Sequence, residues 1–93
     1  MPLFAFIGRD GPRGLGLRKQ HRPAHIERLE SLATAGRISH AGPLLDEEGK
    51  PLGSLILFEA DDLADARAFA SRDPYVTEGV FATHEIHETK VVF

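Results

Sequence analysis

Short apolar runs recur along the chain between longer polar stretches, and their lengths predict β-strands. Four segments have this length and composition: 3–8, 37–44, 52–60 and 80–86, the last with an extension to residue 92. Pro2 and Gly8 bound the first run, which is rich in Phe and Ile. The acidic Gly/Pro turn 46–51 joins the second and third runs, so we expect these two strands to pair as a hairpin.

The first long polar stretch contains apolar residues at the three- and four-residue spacing of an amphipathic helix. These residues are Ile26, Leu29, Leu32 and Ala33. Pro23 suits the first turn of such a helix, where its missing N–H has no intrahelical partner to lose, and Gly36 is a typical stop signal. The spacing therefore predicts a helix over 22–35.

A second helix is predicted after the third strand. Asp61 or Asp62 caps it, because a carboxylate interacts favourably with the positive end of the helix dipole. The helix ends near Arg72, since Asp73 precedes a proline and is biased away from helical geometry. The order β-α-β-β-α-β predicts a ferredoxin-like α+β fold, an antiparallel four-stranded sheet with both helices on one face, as a single domain over 1–93. The other sheet face stays open, so we expect a homodimer or a higher homo-oligomer.

The segment 9–21, between the first strand and the first helix, is predicted to be a long loop. It contains three glycines and a basic cluster of Arg13, Arg18 and Lys19. Its glycine N–H groups and these three basic side chains would suit an anion, but the segment matches neither the Walker pattern nor the dinucleotide fingerprint. A solvated, flexible loop is the favoured interpretation, and a lid that closes over a pocket is the functional alternative.

Composition and charge exclude several classes of function. Of the 93 residues 42% are hydrophobic, and the net charge is −3. The pI near 5.9 argues against nucleic-acid binding, because nucleic-acid modules usually have a pI above about 9. Without cysteine, the chain has no disulfide, thiolate nucleophile or Cys-based metal site. The apolar N-terminal run is too short for a signal peptide or membrane span, so we expect a cytoplasmic protein that does not contact membranes.

His25 and Asp73 are the candidate acid/base pair. The predicted helix places His25 in its first turn, where the helix dipole disfavours an imidazolium and leaves a neutral ring able to accept a proton. Asp73, at the exit of the second helix, would accept a hydrogen bond from the other ring nitrogen if the fold brings the two together. Each residue also has a structural interpretation, as a satisfied histidine at a helix start and as an aspartate that forms a turn. Spacing alone favours the structural interpretations.

Other polar residues give weaker signals. Tyr75, the only tyrosine, is a candidate pocket wall with a hydroxyl group, or simply a core residue. Ser54 follows a glycine in a strand, where its hydroxyl lines a pocket or bonds to the backbone. His84 and His87 are three apart in a predicted strand rather than four apart on a helix, as zinc motifs require, so we predict no metal site.

A set of short motifs, in this order along the chain, resembles that of the YCII-related (YciI-like) family. Its members are Arg22-Pro23-Ala24-His25, Leu29, Gly36-Arg37, Ala41-Gly42-Pro43-Leu44, Gly53-Ser54, Asp73-Pro74-Tyr75 and Gly79-Val80. The resemblance implies a dimeric ferredoxin-like domain related to the dimeric α+β barrel group, with His25 and Asp73 as a proposed pair in a pocket. Members similar to muconolactone-type isomerases and aromatic dehydrochlorinases are the ones to which a reaction is assigned. The resemblance favours the acid/base pair over the structural interpretations.

These observations together favour a small-molecule enzyme, a cofactor-free lyase, isomerase or dehydrochlorinase-type acid/base catalyst. His25 would abstract or relay a proton next to a carbonyl group, and Asp73 would hold its tautomer. Arg22 is the candidate that binds an anionic substrate, with Ser54 and Tyr75 as further polar groups of the pocket. The alternative is a non-catalytic dimeric domain that binds a small ligand or serves as an accessory unit.

Overall fold

The computed structural model describes the whole chain, residues 1–93, as one sheet with three helices. In chain order the elements are β1 Leu3–Asp10, α1 Gly14–Thr34, β2 Ile38–Leu45, β3 Pro51–Glu59, α2 Leu63–Ser71, α3 Pro74–Thr77 and β4 Phe81–Thr89. All neighbouring strands are antiparallel, in the order β2-β3-β1-β4. This arrangement confirms the predicted ferredoxin-like α+β fold.

Alternate residues of the two central strands form the core between the sheet and the helices. Phe4 of β1 pairs with Phe58 of β3, and Phe6 pairs with Ile56. All four side chains are at most 1% exposed. Burying each of them contributes about 1.5–3 kcal/mol. Leu29 of α1 and two alanines of α2 belong to the same core cluster, so both long helices cover one face of the sheet.

The opposite face of the sheet has an apolar strip on its two central strands. Its members are Leu3, Ala5, Ile7, Leu55 and Leu57, which are all half-buried. The register pairs Ala5 with Leu57 and Ile7 with Leu55, and directly opposed residues of antiparallel strands point to the same side. The strip is therefore continuous across β1 and β3.

Helix α1 shows that the predicted loop over 9–21 is wrong. Strand β1 continues to Asp10 and α1 begins at Gly14, so only residues 11–13 connect them. Pro23 consequently lies inside the helix rather than in its first turn. The predicted helix start is too late by about two turns.

The reason for this error lies in the residues that α1 buries. In its N-terminal half the buried positions hold Gly14 and Arg18, neither of which has an apolar side chain that a hydrophobic pattern would register. A β-carbon on Gly14 would lie 2.8 Å from Cβ of Asp10. Glycine is therefore needed for the helix to begin this close to β1, although in the sequence it is typical of a loop.

The predictions for the second helix are largely confirmed. Asp62 is the N-cap of α2, and its carboxylate accepts a hydrogen bond from the backbone N–H of Asp65 at 2.8 Å. The helix ends before Asp73, which then serves as the N-cap of α3, a single turn that the sequence pattern did not predict. No helix in the chain has the length and apolar character needed to span a membrane.

Candidate active site

A cavity of about 370 Å³ lies between α1 and the β2–β3 side of the sheet. Its polar lining consists of Arg18, Lys19, Arg22, His25, Ser54 and Tyr75. Much of the remaining wall is apolar and includes Leu29 of α1 and Ile56 of β3. No carboxylate lines the cavity, although the net charge of the chain is −3. The volume suits a small molecule, and the basic lining favours an anionic one.

His25 and Asp73 are in direct contact at one wall of the cavity. Nδ1 of His25 lies 2.8 Å from Oδ1 and 2.9 Å from Oδ2 of Asp73. A carboxylate only accepts hydrogen bonds, so Nδ1 carries the hydrogen. Nε2 makes no hydrogen bond within the protein. Every buried side-chain nitrogen has a hydrogen-bond partner, so Nε2 is not buried. Because His25 lines the cavity, Nε2 is the ring nitrogen that is open to a ligand.

The prediction that His25 lies in the first turn of a helix is wrong. The residue lies about three turns into α1, beyond the first turn in which the helix dipole is felt. Its ring is instead fixed between the Asp73 carboxylate and the ring of Tyr75. The two rings stack with centroids 3.8 Å apart and an interplanar angle of 6°. Packing and hydrogen bonding, rather than the helix terminus, therefore orient the imidazole.

Asp73 is completely buried and accepts hydrogen bonds from three residues. Besides His25, the backbone N–H of Tyr75 donates to Oδ1 at 2.8 Å, and Nη1 of Arg28 donates to Oδ2 at 3.2 Å. Arg28 is itself held by Phe69, whose carbonyl accepts from Nη2 at 2.8 Å and whose ring centroid lies 4.2 Å from the guanidinium carbon. These donors compensate the buried negative charge, so the site suits the ionised carboxylate.

Tyr75 forms part of the same wall and is almost fully buried. Its ring meets that of Phe81 edge-on, with centroids 5.6 Å apart at 89°. Burial raises the pKa of the Tyr75 hydroxyl above its usual value, although the charges of Arg18 and Arg22 lower it in part. The hydroxyl is therefore neutral near pH 7. Its bond to the backbone oxygen of Arg18 is long, at 3.5 Å.

Arg18, which the sequence assigned to the basic cluster of a loop, lies instead inside α1 and beside the candidate pair. Its Nε donates to Oδ2 of Asp10 at 2.6 Å, and its Nη2 donates to Oδ1 of Asp10 at 2.8 Å and to Oγ of Ser54 at 3.0 Å. Arg18 is 8% exposed and lines the cavity. It lies about two turns before His25 on the same helix face, so extending that face backward along the sequence is the signal that could have found it.

The structure brings the predicted site residues together. His25, Ser54, Tyr75 and Arg22 line the cavity, and Asp73 lies directly behind His25. Ser54 is buried, whereas Arg22 is exposed at the rim. The sequence missed Asp10 and Arg28, which hold Arg18 and Asp73 in place. The chemical roles of these residues stay predictions.

Comparison with known proteins identifies the family of the chain. The model of the YCII-related domain matches residues 2–90. Protein YciI of Escherichia coli is 33% identical over 97 residues, which cover 98% of this chain and 99% of that protein. An uncharacterized protein of Haemophilus influenzae is 31% identical over 96 residues, which cover 97% of this chain and 98% of that one.

The chain is also similar to solved structures. The 5-chloro-2-hydroxyhydroquinone dehydrochlorinase TftG of Burkholderia phenoliruptrix AC1100, in complex with 2,5-dihydroxybenzoquinone, superposes with a TM-score of 0.83. It is 28% identical in sequence, and the match covers 95% of this chain and 93% of that one. An antibiotic biosynthesis monooxygenase has a TM-score of 0.60 at 13% identity, with 99% of each chain covered, and shows a shared fold alone.

Proposed function

Since the chain belongs to the YCII-related family, we propose that it is a cofactor-free acid/base enzyme acting on a small anionic ring compound. The observation that supports this proposal is the buried His25–Asp73 pair, in which only Nε2 of His25 faces a cavity. The likeness to a dehydrochlorinase that binds a dihydroxybenzoquinone favours lyase or isomerase chemistry on a hydroxylated or carbonyl-bearing ring. We expect the protein to work in the cytoplasm.

The proposed step is a proton transfer that begins at Nε2 of His25. Nε2 takes a proton from a carbon or hydroxyl group next to a carbonyl, and the electron pair of the broken bond forms a new double bond. In an elimination a leaving group such as chloride then departs with its own electron pair. In an isomerisation the imidazolium returns the proton to a different carbon. Neither reaction needs an oxidant, and proton transfer of this kind typically contributes 10²–10⁴-fold to the rate.

The other residues of the cavity support this step by holding the pair and the substrate. Asp73 keeps the hydrogen on Nδ1 and stabilises the imidazolium that forms on His25. Arg22, at the exposed rim, attracts the anion, and its charge acts over a distance of about a Debye length. The Ser54 hydroxyl and the neutral Tyr75 hydroxyl are hydrogen-bonding groups within the cavity.

We also propose that the chain forms a homodimer through the apolar strip of the sheet. The strip is half-buried in the single chain, and a domain of this size leaves much of its surface exposed. A second copy is the proposed occupant, because the family resemblance implies a dimeric domain. Light scattering should give the mass of a dimer, and Leu57→Glu should give that of a folded monomer. A wild-type monomer at all concentrations would exclude the dimer.

Turnover and binding are separated in one experiment with ring-chlorinated hydroxyhydroquinones. Chloride release measures turnover, while the fluorescence of Tyr75 measures binding, because the chain has one tyrosine and no tryptophan. We expect His25→Ala to lose turnover and to keep binding. His40→Ala is the matched control, because His40 is exposed and outside the cavity.

Two outcomes would decide against this proposal. Full turnover by His25→Ala would exclude the proposed role of His25. Binding by the wild-type protein without turnover of any compound in the series would favour the non-catalytic ligand-binding domain.

A further inference from the structure

Arg18 is a buried cation to which the proposed proton transfer assigns no part. Its Nε and Nη2 hydrogens are used by Asp10 and Ser54. Its Nη1 makes no hydrogen bond within the protein. Every buried side-chain nitrogen of the chain has a hydrogen-bond partner, so Nη1 is not buried and lies at the accessible surface. Because Arg18 is 8% exposed and lines the cavity, that surface is the cavity wall.

We infer that Arg18 binds an ionised oxygen of the substrate, a phenolate or enolate, through Nη1. This inference rests on the proposed function, since it names the group of the substrate that the same cavity recognises. A guanidinium N–H that donates to an oxyanion forms a charge-assisted hydrogen bond, about twice as strong as a neutral one. The bond also stabilises negative charge that develops on this oxygen when His25 removes a proton nearby.

The surroundings of Arg18 distinguish it from the other basic residues of the cavity. Lys19 and Arg22 are exposed, so water and salt screen their charges and their side chains lose rotamer freedom on binding. Arg18 is already fixed by two bonds to Asp10, and its guanidinium carbon lies 5.1 Å from the ring centroid of Tyr75. A donor that is ordered before the ligand arrives binds it at a lower entropic cost.

The cavity also restricts the class of anion that Arg18 can bind. Arg18 offers a single free guanidinium nitrogen, which suits one oxyanion better than a phosphate with three acceptor oxygens. Next to it are the stacked rings of His25 and Tyr75 and an apolar wall that includes Ile56. A flat ring with an ionised hydroxyl group fits both features. Recognition of one oxygen on an apolar ring is therefore the specificity that we assign to this site.

The test uses para-nitrophenol as the probe at a pH where its phenol and phenolate forms coexist. The phenolate absorbs in the visible range, so its bound fraction is measured directly, and para-nitroanisole provides a neutral ligand of similar shape. We expect the wild-type protein to prefer the phenolate. Arg18→Met should reduce that preference by roughly 10- to 100-fold, the effect of one hydrogen bond to a charged group.

Two further variants keep the test decisive. Arg18→Met leaves Asp10 unpaired at 8% side-chain exposure, so the double variant Asp10→Asn/Arg18→Met is measured if the single variant does not fold. Arg13→Met is the charge control, because Arg13 is exposed and outside the cavity, and it should keep the preference. A folded variant without Arg18 that still prefers the phenolate would overturn the inference, as would a wild-type protein without any preference.

The failure of this inference differs from a failure of the proposed function. The phenolate preference is measured at binding equilibrium and requires no turnover. His25→Ala should keep that preference while it loses turnover of a chlorinated substrate. If His25→Ala keeps full turnover, the proposed function fails while the result for Arg18 stands. If Arg18→Met keeps the preference while His25→Ala is inactive, only the assignment of Arg18 fails.

Discussion

The chain contains two histidine–carboxylate pairs of nearly the same geometry in opposite environments. Nδ1 of His25 is 2.8 Å from Asp73, and Nε2 of His87 is 3.0 Å from Glu85. The side chains of the first pair are 7% and 0% exposed, and those of the second are 63% and 50% exposed. Distance therefore does not separate a candidate active site from a surface contact.

Burial and further contacts separate the two pairs. Water and salt screen the exposed pair on β4, and its side chains stay free to leave the contact, so pairs of this kind contribute little. The buried pair has further donors to its carboxylate and a stacked ring that fixes the imidazole. It also has one ring nitrogen that faces a cavity. A fixed tautomer and a free acceptor are what proton transfer needs, and His87 lacks this support.

Among the variants considered, Asp73→Asn should have the largest effect, a loss of turnover. An amide can donate to Nδ1, so the ring can change to the tautomer with its hydrogen on Nε2, which then no longer accepts a proton. We expect turnover to fall on the order of 10²–10⁴-fold. Nitrogen NMR of the His25 ring reports the tautomer even without a substrate. An unchanged tautomer together with full turnover would show that Asp73 does not control the ring.

Arg28→Met should mainly reduce stability. It removes one donor from a buried carboxylate but leaves the bond to His25, so the tautomer should stay the same. Loss of such a bond costs about 1–3 kcal/mol, and each kcal/mol lowers Tm by about 4–8 °C in a domain of this size. Thermal unfolding measures the change, with Arg67→Met on the exposed side of α2 as the control. Equal losses of Tm in both variants would mean that removal of a positive charge, rather than loss of the bond to Asp73, causes the effect.

Alkaline titration tests whether the Tyr75 hydroxyl, in the cavity wall next to His25, is shielded from water. Because burial raises the pKa of the Tyr75 hydroxyl, the stability that it contributes is complete below its unfolded value near 10 and is lost as the pH rises through the folded value. We expect the ultraviolet phenolate band of this single tyrosine to appear only above pH 10, and Tyr75→Phe to reduce the alkaline loss of stability. A band that appears at its ordinary pH in the folded protein would contradict the burial.

The order of strands and helices could be predicted because burial there depends on apolar side chains. Phe4, Phe6 and Phe58 alternate with outward residues, and the turn before β3 contains glycine and proline. The start of α1 could not be predicted in this way. Its first buried positions hold Gly14 and Arg18, which resemble loop residues until Asp10 provides a partner and a close contact.

The candidate site was accessible to sequence reasoning only in part. His25 and Asp73 are indicated by residue type and by the family resemblance, although spacing alone favoured structural roles for both. The ion pair of Arg18 with Asp10 and the bond from Arg28 to Asp73 depend on side chains from different elements. Helical spacing places Arg18 on the face of His25, but nothing in the local sequence shows that either arginine has a buried carboxylate as its partner. Tertiary structure decides which charges are desolvated, and desolvation decides their chemistry.

Glu85→Gln should have the smallest effect of these variants, with thermal stability as the measured quantity. The hydrogen bond from His87 holds the pKa of the Glu85 carboxyl below its usual value, so any stability from this pair would be lost as the pH falls through that lowered value. Because the carboxyl is exposed in the single chain, we expect no measurable change in Tm at neutral or acidic pH. The monomeric Leu57→Glu background tests this directly. Glu85 is opposite Ile7 of the apolar strip, so a loss of Tm that occurs in the wild-type background and not in the monomeric one would mean that a second copy covers the pair. The exposed pair would then resemble the buried one in desolvation, while still lacking the further donors and the stacked ring that hold His25 and Asp73.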